Sequence, residues 1–546
     1  MYLKDYEDPF MLEKFLLILI PHYEARGDYE HLVFLYLCAG YAYIEMSRIG
    51  DSHCGRLSVS YYKKVLHYKN HFCDFQIPEN RTFLLTAYCN LVRVEPELGH
   101  ISLEESYEYW LELKEMRSNP VFCRFDEENP KIPLLSDLTL GDFPKSALML
   151  YRKMKCDDQD LFNKLEKITW DYYFRDGKTN TEVFEKRSDA YYRFVWVLYT
   201  EKLITAEDAF RKMNERYQNN KPQIVKLSPE ERDPIGQLLN PVDIMVAVLM
   251  ETDLPKEEKE RFAKKYCKDI LDTIMHYPRG YDSYTLNTSI LNIAINNNMI
   301  SMLSSDDEKI EFVLQVVVSR QLTTYIHSKM VSGIAEMILE VILEEHPEYL
   351  VGISGCETVM EVLAQQEEIR KYTRYAALLH DIGKNAMIDI ITTENRKLTD
   401  HEFEFLRMHP QLGADMLSAN PVFLPYRDIV LGHHKRYDGK GGYPTNFDNV
   451  DSVWKPIIDL ITICDCIDAA TDYLGRNYQR AKSFGTILGE LKEGAGTWYH
   501  PGYVALMEDS IDLFEKLQDL TEKQREIIFY ETYQKYFLSV GEKTGS

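Results

Sequence analysis

No cluster of lysine and arginine residues occurs in this sequence of 546 residues, in which 87 acidic residues outnumber 63 basic ones. The formal net charge is −24. A protein of that charge repels polyphosphate, so the sequence argues against binding to a nucleic-acid polymer or to an anionic membrane surface.

Long apolar segments and paired cysteines are also missing. No stretch reaches the length of a membrane-spanning helix, and the opening residues MYLKDYEDPF are acidic where a signal peptide is basic. The ten cysteines are scattered and form no CxxC pair of the zinc-finger type. Cys464 and Cys466 flank Asp465 in the apolar segment LITICDCIDAA, which favours a place in the core. These features predict a cytoplasmic protein with reduced thiols and no membrane attachment.

Strand patterns are scarce, and helical patterns extend along nearly the whole chain. Apolar residues recur at three- and four-residue spacing, whereas alternating runs bounded by turn residues are rare. Tyrosine-rich helical segments such as HLVFLYLCAGYAYIEM and DAYYRFVWVLYTEKL fill the first part of the chain. The sequence therefore predicts an all-α fold.

The N-terminal region leaves two interpretations open. Gly40 with Tyr43, and Ala209 with Phe210, are typical of the small and aromatic residues by which tetratricopeptide helix pairs interlock, but no clean repeat period is present. Degenerate tetratricopeptide repeats and an irregular helical bundle therefore both remain. Either would suit a sensing or scaffolding role, with a protein partner or a dimer formed through this region.

Two breaks in the apolar pattern divide the chain. Proline and polar residues replace it at residues 219–236, and the segment SMLSSDDEK interrupts it again at residues 301–309. We predict four parts: a helical sensing or scaffolding region, a helical connecting region, a region that carries the chemistry, and a C-terminal helix and tail. These parts are residues 1–220, 221–309, 310–520 and 521–546.

The third part contains histidines and aspartates in a recurring setting. Each lies near what the pattern predicts as the end of an apolar helix, so that a packed scaffold would hold them together. Imidazole and carboxylate are ligands that suit Zn, Fe, Mn or Co. Burying so many polar groups without a partner would cost on the order of several kcal/mol of folding free energy. A site for two divalent metals is therefore predicted. Its candidate ligands are His327, His380, Asp381, His409, His433, His434 and Asp465.

Several motifs in this part follow one another in a familiar order. LLHDIGK, MHPQLGADML, HHKRYDGKGGYP, CDCIDAATD and RNYQRAKS resemble the motifs of HD-GYP domains, the cyclic di-GMP phosphodiesterase branch of the HD metal-dependent phosphohydrolase superfamily. The resemblance covers roughly residues 320–515. It implies an all-helical domain that hydrolyses cyclic di-GMP to linear pGpG or GMP, with two metals activating a water for in-line attack on phosphorus.

The resemblance also assigns the ligands to two ions. Three-metal members of the family carry a glutamate where this chain has Thr323, so two transition metals are expected, Fe or Mn foremost. Asp381 would bridge them. The first ion would take His327, His380, Asp381 and Asp465, and the second would take Asp381, His409, His433 and His434.

Three further positions match family residues that meet the substrate. Lys384, four residues after His380, corresponds to a phosphate-contacting lysine, and with Asp381 it is expected to be catalytic. Arg476 matches a later family arginine, and Tyr443 of the GYP-like loop would lie against the substrate.

The loop that carries the GYP-like motif departs from the family pattern. Lys435 stands where the family has an acidic residue, the loop is one residue longer, and Gln479 takes a basic position. These changes are expected to lie where the substrate or partner proteins are recognised. Gly439 and Gly442 are expected to let the loop fold tightly beside the site.

Cyclic di-GMP is the leading expected substrate, and three alternatives stay open. They are another cyclic dinucleotide such as a mixed GMP–AMP ring, a nucleotide cleaved by HD phosphohydrolase chemistry, and a dinucleotide receptor or scaffold with little turnover. The presence of Asp381 and Lys384 counts against the receptor, because degenerate enzymes often lose such residues.

Overall fold

A computed structural model describes most of the chain. The described residues are 8–48, 52–71, 74–123, 135–186, 189–224, 235–275, 298–387, 397–418, 420–474 and 481–538. They form two compact units, the first ending at Pro255 and the second beginning at Lys256. The finer division predicted at residues 220, 309 and 520 stays a prediction.

The first unit consists almost entirely of helices. Two-residue strands, β1 (Phe174–Arg175) and β2 (Lys178–Thr179), form a small antiparallel ribbon. The α-helices of this unit are α1 (Pro9–Glu24), α2 (Tyr29–Ser47), α3 (Ser52–His67), α4 (Pro78–Cys89), α5 (Glu95–Glu97), α6 (Leu103–Met116), α7 (Pro120–Cys123), α8 (Leu135–Lys153), α9 (Gln159–Tyr173), α10 (Glu182–Lys186), α11 (Ala190–Thr200), α12 (Ala206–Ile224) and α13 (Asn240–Met250).

Capping side chains fix where several of these helices begin. Asp8, Asp28, Ser102 and Asp158 each accept a hydrogen bond from the backbone N–H three residues later, at the starts of α1, α2, α6 and α9. Such a bond satisfies one of the N–H groups that a helix start leaves unpaired. Short polar residues before apolar periods therefore set the helix boundaries.

The small and aromatic residues of the first unit are core residues. A Cβ atom at Gly40 on α2 would lie 2.5 Å from the ring of Tyr62 on α3, so the ring packs directly on the helix backbone. Tyr43, Ala209 and Phe210 are buried as well. The interlocking of small and aromatic side chains is thus present at α2 and α3, while the tetratricopeptide interpretation stays a prediction.

The second unit is also helical. Its α-helices are α14 (Lys256–Met275), α15 (Asn298–Ser301), α16 (Asp306–Arg320), α17 (Leu322–Glu345), α18 (Val359–Ala364), α19 (Gln366–Leu379), α20 (Asp400–Leu406), α21 (His409–Ser418), α22 (Arg427–Gly432), α23 (Lys455–Thr471), α24 (Phe484–Glu493), α25 (Pro501–Asp509), α26 (Ile511–Asp519) and α27 (Arg525–Tyr533).

Helix α17 forms the centre of the second unit. Val331, Ile334, Ile338 and Ile342 recur at three- and four-residue spacing and are fully buried. The helix packs against α19 and α23. This packing places His327, on the same helix, inside the unit rather than on its surface.

The all-α prediction is confirmed by the described residues, in which the ribbon of β1 and β2 is a minor exception. Each described helix falls short of either the length or the apolar character that a bilayer crossing requires. None of the described cysteines forms a disulfide, and Cys464 is buried as its apolar setting predicted.

Candidate metal centre

The seven predicted ligands lie in two clusters inside the second unit. In each cluster, one ligand atom per residue lies within 4.8 Å of the others. The first cluster contains the side chains of His327, His380 and Asp465, and the second contains those of Asp381, His409, His433 and His434.

Asp381 lies between the two clusters and directs one oxygen to each. Its Oδ2 atom is 3.3 Å from Nε2 of His327 and 3.5 Å from Nε2 of His380. Its Oδ1 atom is 3.2 Å from Nε2 of His409 and 3.6 Å from Nε2 of His433. A carboxylate in this position can bridge two ions.

Three of the imidazoles are oriented by the ends of helices. Nδ1 of His380, His409 and His433 donates to the backbone carbonyl three residues earlier, at 2.6, 2.6 and 2.8 Å. The last carbonyls of a helix have no intrahelical partner, so they are available to these rings. Since a carbonyl only accepts, Nδ1 carries the proton and Nε2 presents a lone pair to the clusters.

The prediction that all seven ligands lie near helix ends is wrong for two of them. Asp465 lies in the interior of α23, and His327 is already inside α17, past its first turn. Apolar periodicity shows that a helix is present, but it does not mark where a long helix begins. The two clusters therefore combine helix-end histidines with ligands from helix interiors.

Several buried atoms of the clusters lack a well-formed hydrogen bond to a described residue, and two ring nitrogens lie close together. Nε2 of His409 lies 3.1 Å from Nε2 of His433. Nε2 of His327, Nε2 of His380 and Oδ1 of Asp381 are buried without a well-formed hydrogen bond to a described residue. Unrelieved contacts of this kind are unfavourable, and divalent cations would relieve them. The donor set of imidazole nitrogens and carboxylate oxygens therefore fits the predicted transition metals.

Four of these side chains have pKa values that favour the protonation state in which they can bind a metal. Burial lowers the pKa of His433 to about 4 and the pKa of His434 well below its usual range. Burial opposes ionisation of Asp381, yet Lys384 and the neighbouring imidazoles hold its pKa well below the usual range. Burial opposes ionisation of Asp465 as well, yet its contact with His327 and the neighbouring imidazoles together hold its pKa well below the usual range. Neutral imidazole and ionised carboxylate are the forms that bind metals.

Asp468 is a site residue that the sequence did not reveal. Its Oδ2 accepts a hydrogen bond of 2.6 Å from Nδ1 of His327. Burial favours the neutral ring of His327, but the surrounding carboxylates of Asp381, Asp465 and Asp468 raise its pKa well above the usual range. The three carboxylates around the ring of His327 thus favour a positive charge at this position. The spacing of three residues from Asp465, one helical turn along α23, was the available sequence signal.

The predicted substrate residues have three different outcomes. The amine of Lys384 forms an ion pair with Oδ2 of Asp381, beside both clusters. The ring of Tyr443 lies 4.5 Å from the ring of His434, centroid to centroid. Arg476 lies outside the described residues, as does Gln479.

The loop with the GYP-like motif closes on itself through Lys435. This residue is 6% exposed, and its amine donates to the carbonyl of Pro444 at 3.2 Å. Its backbone also pairs with Gly442, which has a φ of +83° and would place a Cβ atom 2.0 Å from the carbonyl oxygen of His434. Gly439 also has a positive φ, of +72°. The tight loop is confirmed, and the Lys435 amine is a buried contact within it. A role of Lys435 in recognition stays a prediction.

A family model describes much of this unit. Residues 337–501 match the model of the HD domain family. The C-terminal part of the chain contains an HD domain. Six of the seven candidate ligands lie inside the matched range, and His327 lies ten residues before it.

Curated relatives share this HD domain. A cyclic di-GMP phosphodiesterase of Pseudomonas aeruginosa is 35% identical over 153 residues, which are 27% of this chain and 36% of the relative. One of Thermotoga maritima is 29% identical over 181 residues, 32% of this chain and 47% of the relative. A 3′3′-cGAMP-specific phosphodiesterase of Vibrio cholerae is 30% identical over 164 residues, 29% of this chain and 30% of the relative. The chain spans about a third to a half of the length of these relatives.

Proposed function

We propose that the HD domain binds two divalent metals and hydrolyses a phosphodiester bond of a cyclic dinucleotide. The observation that carries this proposal is the carboxylate of Asp381, whose two oxygens face imidazole nitrogens of both clusters. This arrangement is well suited to hold two cations. Motif order and the names of the relatives support the reaction class.

The ligands divide between the ions as the clusters do. His327, His380 and Asp465 would hold the first ion, and His409, His433 and His434 the second, with Asp381 shared. When bound, two divalent ions neutralise phosphate charge and lower the pKa of a water to about 7.

The remaining side chains would bind and orient the substrate. The Lys384 amine, next to Asp381, is a donor within reach of a phosphate oxygen at the clusters. The ring of Tyr443, next to His434, offers a flat apolar face beside the same place. Arg476 remains a proposed phosphate contact on sequence grounds alone.

Cyclic di-GMP is the first proposed substrate, and a mixed GMP–AMP ring is the second. The second is favoured by the relative that is named as specific for 3′3′-cGAMP. For the N-terminal region we propose sensing or scaffolding, through a protein partner or a dimer. The ground for this proposal is that the region precedes the HD domain in the same chain.

The test is incubation of the purified full chain with each dinucleotide and Mn²⁺ or Fe²⁺, with chromatography of the products. We expect linear dinucleotide or mononucleotide, and no product in the presence of a chelator. His380→Ala should abolish turnover, whereas His346→Ala should not, because His346 is an exposed histidine paired with Glu348. Product formation in chelator, or no product from metal-loaded protein with either ring, would contradict the proposal.

A further inference from the structure

His327 needs an orienting partner that its own helix does not supply. The other imidazoles with a bonded Nδ1 use free carbonyls at helix ends, but His327 lies within α17, where the preceding carbonyls accept helix hydrogen bonds. Its Nδ1 donates instead to Oδ2 of Asp468, at 2.6 Å. This bond directs Nε2 toward Oδ1 of Asp465, 3.1 Å away.

Asp468 is itself held by an arginine from the end of the chain. Nη2 of Arg525, the first residue of α27, donates to Oδ1 of Asp468 at 2.7 Å. The same nitrogen lies 3.3 Å from Oγ1 of Thr471, and Nη1 lies 3.6 Å from Oδ1 of Asp472. The side chains of Arg525 and Asp468 are 2% and 0% exposed. One oxygen of Asp468 therefore faces the arginine and the other faces His327.

We propose that Arg525 and Asp468 are positioning residues for the first metal cluster, and this inference rests on the proposed function. Arginine only donates hydrogen bonds, so Arg525 fixes the orientation of the Asp468 carboxylate. The fixed carboxylate then fixes the ring of His327. Carboxylates that hold the second nitrogen of a metal-bound imidazole raise metal affinity, and their loss costs about 10- to 100-fold.

The arrangement extends the metal centre beyond the matched domain. Arg525 lies after residue 501, where the match to the HD domain model ends, and on a helix of its own. The C-terminal helix α27 thereby contributes a positioning residue, Arg525, to the proposed metal centre. A protein shortened at residue 520 would retain all seven candidate ligands and Asp468 but lose the arginine that holds the Asp468 carboxylate in place.

The experiment is a Mn²⁺ binding titration of the full chain, with bound metal counted by elemental analysis. For Arg525→Met and Asp468→Asn we expect one of the two ions to bind about 10- to 100-fold more weakly, with the other unchanged. Combining the two substitutions should be no worse than the more severe single one, because both act through His327. Arg525→Lys should give an intermediate affinity.

The matched control is Arg81→Met in the first unit. Arg81 is also buried and donates to the carbonyls of Phe75 and Gln76, so its loss is a comparable structural change without an effect on either ion. If Arg525→Met fails to fold, Asp468→Asn and Arg525→Lys decide the question.

Two results would overturn the inference, and they are distinguishable. Wild-type affinity for both ions in Arg525→Met and Asp468→Asn refutes the positioning role alone. A wild-type chain that binds no Mn²⁺ refutes the proposed function as well.

Discussion

A single methyl group at residue 383 tests how closely the HD domain is packed at its metal centre. Gly383 follows the ligand Asp381 by two residues, and α21 begins at the ligand His409. A Cβ atom on Gly383 would lie 1.9 Å from the backbone oxygen of His409 and 2.7 Å from the backbone nitrogen of Gly413. We therefore expect Gly383→Ala to push the start of α21 away from Asp381.

The size of the effect follows from the overlap. Ordinary contact begins at 3.4 Å, so the methyl group is about 1.5 Å too close to a backbone atom that cannot rotate away. Overpacking of this kind costs about 1–3 kcal/mol of folding free energy. The shift would move Nε2 of His409 away from Oδ1 of Asp381, from which it now lies 3.2 Å. A displacement of about 1 Å in a site can lower the rate of the catalysed reaction about 100-fold.

Calorimetry of the full chain, together with Mn²⁺ titration, measures both effects. A loss of 1 kcal/mol lowers the melting temperature by about 2–4 °C in a domain of 150–250 residues. The control is Gly489→Ala, on the exposed face of α24, where a Cβ atom meets nothing within 4 Å. Alanine is favoured over glycine in a helix by about 0.5–1 kcal/mol, so this variant should be slightly more stable. Wild-type stability and metal binding in Gly383→Ala would refute the reasoning.

The remaining predictions concern the ligands, the lysines and the metals. Asp381→Ala should lower bound Mn²⁺ from two ions to none, because its two oxygens face both clusters; elemental analysis showing two ions would contradict this. Lys384→Ala should reduce turnover about 100-fold and keep both ions, and a loss of metal would show that its role is structural. Lys435→Met should cost about 1–3 kcal/mol in urea unfolding, since the partly buried carbonyl of Pro444 loses its charged donor, and unchanged stability would count against the loop contact. Removing the metals with a chelator should lower the melting temperature, because an ion present at 100 times its dissociation constant stabilises the fold by about 2.7 kcal/mol; an unchanged melting temperature would contradict metal binding.

The fold class could be predicted because apolar periodicity is a local property. Segments such as that of α17 repeat apolar residues at helical spacing, and the structure shows them as helices. Where a helix begins and ends depends on capping and tertiary contacts, so Asp465 was wrongly expected near a helix end. The candidate metal ligands were recognisable because they stand in motifs of characteristic composition and order.

The orienting residues were harder to recognise, because spacing marks the position of Asp468 but neither its role nor its partner Arg525. Asp468 stands one turn after Asp465, a position at which an acidic residue is usually solvated. Arg525 is separated from Asp468 by 57 residues of sequence. Their meeting depends on how α27 packs within the second unit, where it lies against α17, and no local pattern records this packing. The buried contact of Lys435 could not be predicted for a related reason, since the direction of a side chain in a loop depends on the closure of that loop.

The hydrogen bonds from ring nitrogens to helix-end carbonyls make three ligands rigid extensions of their helices. Each ring is fixed to the helix whose carbonyl it contacts and moves with that helix. The pairs are His380 with α19, His409 with α20 and His433 with α22. A force that slides one of these helices along its axis moves the attached nitrogen by the same distance, without any change of rotamer. The candidate metal centre is consequently sensitive to displacement of these helices, and a shift of one helix along its axis would change the distances between the candidate ligands.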